Sequence, residues 1–134
     1  MLFRSGHGHG RVLVVEDFDL LREFSRNFLE AAGMTVCVAA GGLEALAILE
    51  KEPIDLVFTD FGMPGMNGIE LIEEISRKWP HIQRVLTSGF LDEESCQRLV
   101  QLNATVVNKP YDMDSAAKLI ISLLSKSSSN DGQK

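Results

Sequence analysis

Residues 54–68 read IDLVFTDFGMPGMNG, and the fold follows from where that run divides. Ile54 to Thr59 is a short run of large and β-branched apolar side chains, the composition of a strand buried on both faces of a parallel sheet. It runs into Asp60, turns through Met63-Pro64-Gly65, and re-enters regular structure as a helix starting near Asn67-Gly68. Two other apolar strands also end on charge: Val12-Leu13-Val14-Val15 leads to Glu16 and Asp17, and Val106-Val107 leads to Lys109. Ligand sites of parallel sheets collect at the carboxyl ends of the strands. The three acids and the lysine are therefore expected in one place. Carboxylates near 4 Å repel by roughly 4 kcal/mol per pair at a surface-like dielectric, so a positive group must sit among them. Mg²⁺, a hard cation held by a few carboxylates with positions left open for a phosphate, meets that need, and Lys109 neutralises the rest.

Outward from this centre, strand and helix alternate. After the first strand, Leu20, Phe24, Phe28 and Ala31 keep one side of a helix apolar, with Asp19 as its candidate N-cap and Gly33 as its stop. Met34 to Ala39 forms a second strand, and Gly41-Gly42 turns into a helix carrying Leu43, Leu46 and Ala47 that ends before Pro53. The helix after Asn67-Gly68 buries Ile69, Ile72 and Ile75 and stops at Trp79-Pro80; Ile82 to Thr87 is strand four. A weaker helix covers Glu93 to Leu102, and Ala104 to Asn108 is the last strand. Met113, Ala116, Ala117, Ile120 and Leu124 then give the clearest amphipathic spacing in the chain. Five such alternations predict an α/β fold with a doubly wound parallel sheet covered by helices on both faces.

Composition narrows the function. The chain has 134 residues, enough for one domain with a self-sufficient core, and a net charge of −6. No stripe of Lys and Arg is available to displace counterions, so direct nucleic-acid binding is not expected. Cys37 and Cys96 have neither CxxC spacing nor the density of a secreted scaffold, which fits a reducing cytoplasm. No run approaches a membrane span or a signal peptide. Residues 1–10, MLFRSGHGHG, read as a linker or frayed terminus; His7 and His9 on a glycine tether offer too few ligands for a metal. Residues 126–134, KSSSNDGQK, read as a polar disordered tail, leaving 11–125 as the domain.

Taken together, VLVVED (12–17), VFTDFGMPGMNG (57–68), VLTSG (85–89) and NKP (108–110) resemble the receiver domain of two-component response regulators, over residues 11 to 125. The resemblance implies a CheY-like, flavodoxin-like (βα)5 fold with strand order 2-1-3-4-5. It implies that Asp60 takes a phosphoryl group from a phosphohistidine on a histidine kinase or histidine phosphotransfer protein. Asp17, Asp60 and the Gly62 carbonyl would hold Mg²⁺, Glu16 would act through water, and Lys109, aimed by a cis Pro110, would pair with Asp60 or the phosphoryl oxygens. Thr87 and Ser88 are adjacent candidates for the hydroxyl that answers phosphorylation; family spacing and the small Gly89 favour Ser88, with Thr87 pointing away.

Val106 stands where receivers with an aromatic switch carry Tyr or Phe. Transmission would then use backbone shifts around Ser88 and the weak helix. Gly62 and Phe90, two residues past Asp60 and Ser88, offer no polar group to orient water, which implies slow self-dephosphorylation. Such a chain catalyses its own modification without being a turnover enzyme. It would control a downstream effector, as a monomer or a phosphorylation-promoted dimer, either alone or within a hybrid histidine kinase, which the TSGF sequence resembles. A degenerate receiver that binds partners without phosphorylation would not need all of Glu16, Asp17, Asp60, Ser88 and Lys109. A flavodoxin-like cofactor binder would want a glycine- and hydroxyl-rich loop where Glu16-Asp17-Phe18-Asp19 would repel a phosphate.

Overall fold

The computed structural model describes residues 10–132, so the proposed N-terminal linker, His7 and His9 included, lies almost wholly outside the described residues. Among these, strands β1 (Arg11–Val15), β2 (Thr35–Ala39), β3 (Leu56–Asp60), β4 (Gln83–Ser88) and β5 (Thr105–Asn108) alternate with helices α1 (Asp19–Ala31), α2 (Gly42–Lys51), α3 (Gly68–Lys78), α4 (Glu93–Gln101) and α5 (Met113–Gly132). All neighbouring strands are parallel, in the order β2-β1-β3-β4-β5. The expected topology holds. Strand limits differ from the sequence reading by one or two residues; Asp60 closes β3 rather than following it.

Alternation along the central strands feeds two cores. Val12, Val14, Leu56, Phe58 and Val85 pack with Leu29 of α1 and with Met113, Ala116, Ala117, Ile120 and Leu124 of α5. Leu13, Val15 and Val57 face the other way, onto Ala45 and Leu49 of α2 and Leu71 and Ile75 of α3. Full burial of one such side chain stabilises by about 1.5–3 kcal/mol, so the two-sided strands contribute most per residue. A smaller cluster of Ile72, Leu86, Leu99 and Leu102 anchors α4.

The helices correct the sequence reading in detail. The inward side of α1 carries Ser25 and Leu29, flanked by Leu21, Phe28 and Ala32, whereas Leu20 is 74% and Phe24 53% exposed and Ala31 is also exposed. Small Ser25, whose hydroxyl lies 3.9 Å from the Met113 sulfur, seats the helix against α5, and the bulkier Phe24 rotates outward. Asp19 is not the cap: Phe18 holds that position without a capping side chain, and Asp19 lies in the first turn, where a carboxylate favours the helix dipole. Gly33 does end the segment, at φ +103°. In α2, Ala45 and Leu49 are buried while Leu43 and Ala47 are exposed. The start of α3 is fixed by a capping box in which Asn67 and Glu70 satisfy each other's backbone N–H groups.

Only Leu99 is buried within α4, which Asp92 caps through the Ser95 N–H. Its far end is tied by Arg84, a buried arginine on β4 that donates to the carbonyls of Leu102 (3.0 Å), Ile82 (2.8 Å) and Pro80 (3.2 Å). All five apolar positions expected for α5 are buried, and the helix continues to Gly132, through most of the stretch read as a tail. Among the described residues no helix is long and apolar enough to cross a membrane.

Candidate functional site

The carboxyl ends of β1, β3, β4 and β5 meet at one edge of the sheet. Glu16 prolongs β1, its N–H donating to the Ala39 carbonyl at 3.0 Å, and its Oε2 accepts the Phe18 N–H at 3.0 Å. Asp17 follows and is exposed, while Glu16 and Asp60 are buried. Carboxylate oxygens of Glu16, Asp17 and Asp60 lie within 4.8 Å of one another. The sequence expectation of a shared acidic centre is met.

Lys109 reaches this centre from the end of β5. Its Nζ lies 2.7 Å from Asp60 Oδ1, its N–H donates to the Ser88 carbonyl at 2.9 Å, and the Lys109–Pro110 peptide is cis. Of the two adjacent hydroxyls, that of Thr87 faces the acid, against the expected outward orientation of Thr87. Register places Thr87 opposite Asp60, and the Thr87 hydroxyl donates to Asp60 Oδ1 at 3.2 Å. Ser88 is turned away: its hydroxyl donates to the Phe90 carbonyl (3.0 Å) and accepts the Phe90 N–H (3.2 Å). Asp60 therefore commits Oδ1 to Lys109 and Thr87, and Oδ2 takes no hydrogen bond among the described residues.

Burial, with the charge on Asp60 adding to it, holds the Glu16 carboxyl above its ordinary value of 4.5, against the opposing pull of the Phe18 N–H. A single lysine thus leaves the cluster under-neutralised. Three carboxylate oxygens so placed are a hard donor set, and the residues present fit a hard divalent cation. Gly62 is exposed two residues beyond Asp60, with open space around its Cα.

Arg22 and Tyr111 escaped the sequence reading, which took Gly68 only as the start of a helix. A Cβ on Gly68 would lie 2.5 Å from the Asp60 carbonyl and 2.9 Å from the Phe61 Cα, so only glycine lets α3 start this close to the acid's strand. Arg22 of α1 donates to the Glu16 carbonyl at 2.9 Å. Tyr111, edge-on to Phe58, joins Leu21, Phe24, Lys109, Pro110, Asp112 and Met113 around an apolar groove of about 700 Å³. The NG pair and an arginine one turn into the helix were the available signals.

The family model described as Response regulator receiver domain matches residues 12–121. The chain belongs to that family. The receiver is 32% identical over 122 residues to the sensor kinase CckA of Brucella abortus, covering 89% of this chain and 13% of that protein. It is 31% identical over 105 residues to the sporulation initiation phosphotransferase F of Bacillus subtilis, covering 78% of this chain and 85% of that one. Among solved structures it resembles the response regulator TrrA of Thermotoga maritima, crystallised in complex with Mg(2+)-BeF, at 28% identity and a TM-score of 0.77 over 85% of this chain and 98% of that one. Against the first curated relatives the receiver spans 13% to 47% of their length. Its relatives thus include a sensor kinase far longer than itself and a sporulation initiation phosphotransferase of about its own size.

Proposed function

We propose that this two-component receiver accepts a phosphoryl group on Asp60 from a phosphohistidine of a histidine kinase or phosphotransfer protein, and that the modification alters its surface for a downstream effector. The carrying observation is the division of labour at Asp60, with Oδ1 held by Lys109 and Thr87 and Oδ2 left without a hydrogen bond among the described residues. Oδ2 attacks phosphorus, the phosphorus–nitrogen bond breaks, and the imidazole leaves with its electron pair. Lys109 orients the nucleophile and then neutralises phosphoryl charge; Thr87 is poised to follow the new oxygens.

Mg²⁺ held by Asp17, Asp60 and the Gly62 carbonyl, with Glu16 behind them, would orient the attacking carboxylate and offset charge on the phosphoryl oxygens. The hard carboxylate set and the Mg(2+)-BeF complex of TrrA support that choice. Exposed Phe18, next to Asp17, and exposed Phe24, which lines a groove with Lys109, suit contact with a donor protein. The setting is the cytoplasm. The residue two past the acid is Gly62, and two past the hydroxyl comes Phe90 counted from Ser88 or Gly89 counted from Thr87. None offers a polar group to orient water, so self-dephosphorylation is slow; a phospho-form lifetime of seconds would contradict this. Val106 in place of an aromatic leaves transmission to the β4–α4 segment. A phosphorylation-independent binding module is not favoured, since every member of the acidic site is in place.

The test is intact mass after incubation with acetyl phosphate, with and without Mg²⁺, on wild type and Asp60→Asn. A Mg²⁺-dependent gain of one phosphoryl group that the variant lacks supports the proposal. No adduct from acetyl phosphate or from a phosphorylated histidine protein would sink it.

A further inference from the structure

Glu16 and Asp17 sit on a turn that must hold still if they are to face Asp60, yet α1 begins there without a capping side chain. Four bonds hold the turn: Glu16 N–H to the Ala39 carbonyl, Phe18 N–H to Glu16 Oε2, the Arg22 backbone N–H to the Phe18 carbonyl at 2.9 Å, and Arg22 Nη1 to the Glu16 carbonyl at 2.9 Å. The first two stem from the turn itself. Among the described residues, Arg22 is the one side chain in the body of the helix that braces it, and it does so at Glu16 itself, where the backbone N–H of Arg22 reaches only Phe18. Its other fork, Nη2, lies 2.7 Å from Asp19 Oδ1, and its side chain is only 17% exposed although that of Asp19 is 84% exposed. The guanidinium is thereby clamped in a fixed plane across the turn, a geometry that a flexible ammonium cannot reproduce.

We propose that Arg22 is a positioning residue for the divalent-cation site, fixing the Glu16–Asp17 turn so that both carboxylates meet that of Asp60; this rests on the proposed Mg²⁺ reading. Two roles for Arg22 predict opposite signs. As a bare positive charge beside the acids it would repel a divalent cation, and its removal would tighten binding. As a brace, its removal lets the turn drift and weakens binding. Asp19 at 2.7 Å offsets most of the charge, so the brace dominates.

The experiment is calorimetric titration of Mg²⁺ into the whole chain as wild type, Arg22→Met and Arg22→Lys, with melting in EDTA recorded for each. Arg22→Met, which keeps the apolar stem, should raise the Mg²⁺ dissociation constant about tenfold, the scale typical of lost support behind a metal ligand. Arg22→Lys, which has a charge but no fork, should fall between. Phosphorylation by acetyl phosphate should need correspondingly more Mg²⁺ to half-saturate while reaching the wild-type plateau, a pattern that simple destabilisation does not produce. Should Arg22→Met melt below the assay temperature, Arg22→Lys decides by the same criterion. Unchanged or tighter Mg²⁺ binding in the variants overturns the inference alone. A wild type that binds no Mg²⁺ overturns the metal reading and the inference together.

Discussion

At the scale of single residues, Thr87 and Ser88 show what strand register adds to a sequence. Two adjacent hydroxyls at a strand end look alike in sequence, and alternation says only that they point apart. The pairing of Asp60 with Thr87 sets which hydroxyl lies beside the acid in the unphosphorylated chain, and pairing is a property of two strands at once; which of the two answers phosphorylation is read by substitution. Thr87→Ala should cost about 1 kcal/mol of stability, the usual net value of one hydrogen bond. It should leave Asp60 able to take a phosphoryl group while shrinking the amide chemical-shift changes in α4 that follow Mg²⁺ and beryllofluoride. Ser88→Ala should leave those shifts in place, and the reverse pattern would return the role to Ser88. Glu16 gives a pH signature. Because its folded carboxyl is held above 4.5, the metal-free folded chain keeps a proton in the window just above that value which the unfolded chain has released. Stability in EDTA therefore falls as pH rises through the window. Glu16→Gln should flatten that slope and raise the metal-free melting temperature at neutral pH, while gaining less from added Mg²⁺ than wild type does.

At the scale of elements, the strands were more legible than the helix faces. Buried strands announce themselves by continuous apolar runs such as Leu56 to Thr59, whereas α1 has two plausible stripes one position apart. Counting Leu20 and Phe24 as core favoured the wrong one, because bulk says nothing about which stripe can approach a neighbouring helix. Arg84 is the converse case, a charge in a strand that is buried from Arg84 to Ser88. Replacing it with methionine would leave the Leu102, Ile82 and Pro80 carbonyls short of a donor. Arg84→Met should destabilise by about 1–3 kcal/mol, read by urea unfolding, and loosen the end of α4. Gly68→Ala should also cost about 1–3 kcal/mol, as crowding in a packed site does, and should slow phosphorylation because the Asp60 backbone must yield. With a single buried residue within it, α4 should show the fastest amide exchange of the five helices; protection equal to that of α3 would contradict its role as the movable element.

At the scale of the whole molecule, strand order places four strand ends side by side, and chemistry separated by more than ninety residues meets at one edge. That convergence was legible, because acids and a lysine at the ends of apolar strands can share a site only in a parallel sheet. The order 2-1-3-4-5 came from the family motifs, since alternation alone fits several doubly wound orders. Arg22 and Gly68 were not legible, because their importance depends on distances that close only once the sheet and helices have packed. The most direct measurement is borohydride trapping of the chain after acetyl phosphate and Mg²⁺, followed by peptide mass mapping. An acyl phosphate is reduced to an alcohol, so the peptide carrying Asp60 should show homoserine at that position and nowhere else. Homoserine at Asp17, or a stable phosphate ester on Thr87 or Ser88, would contradict Asp60 as the acceptor.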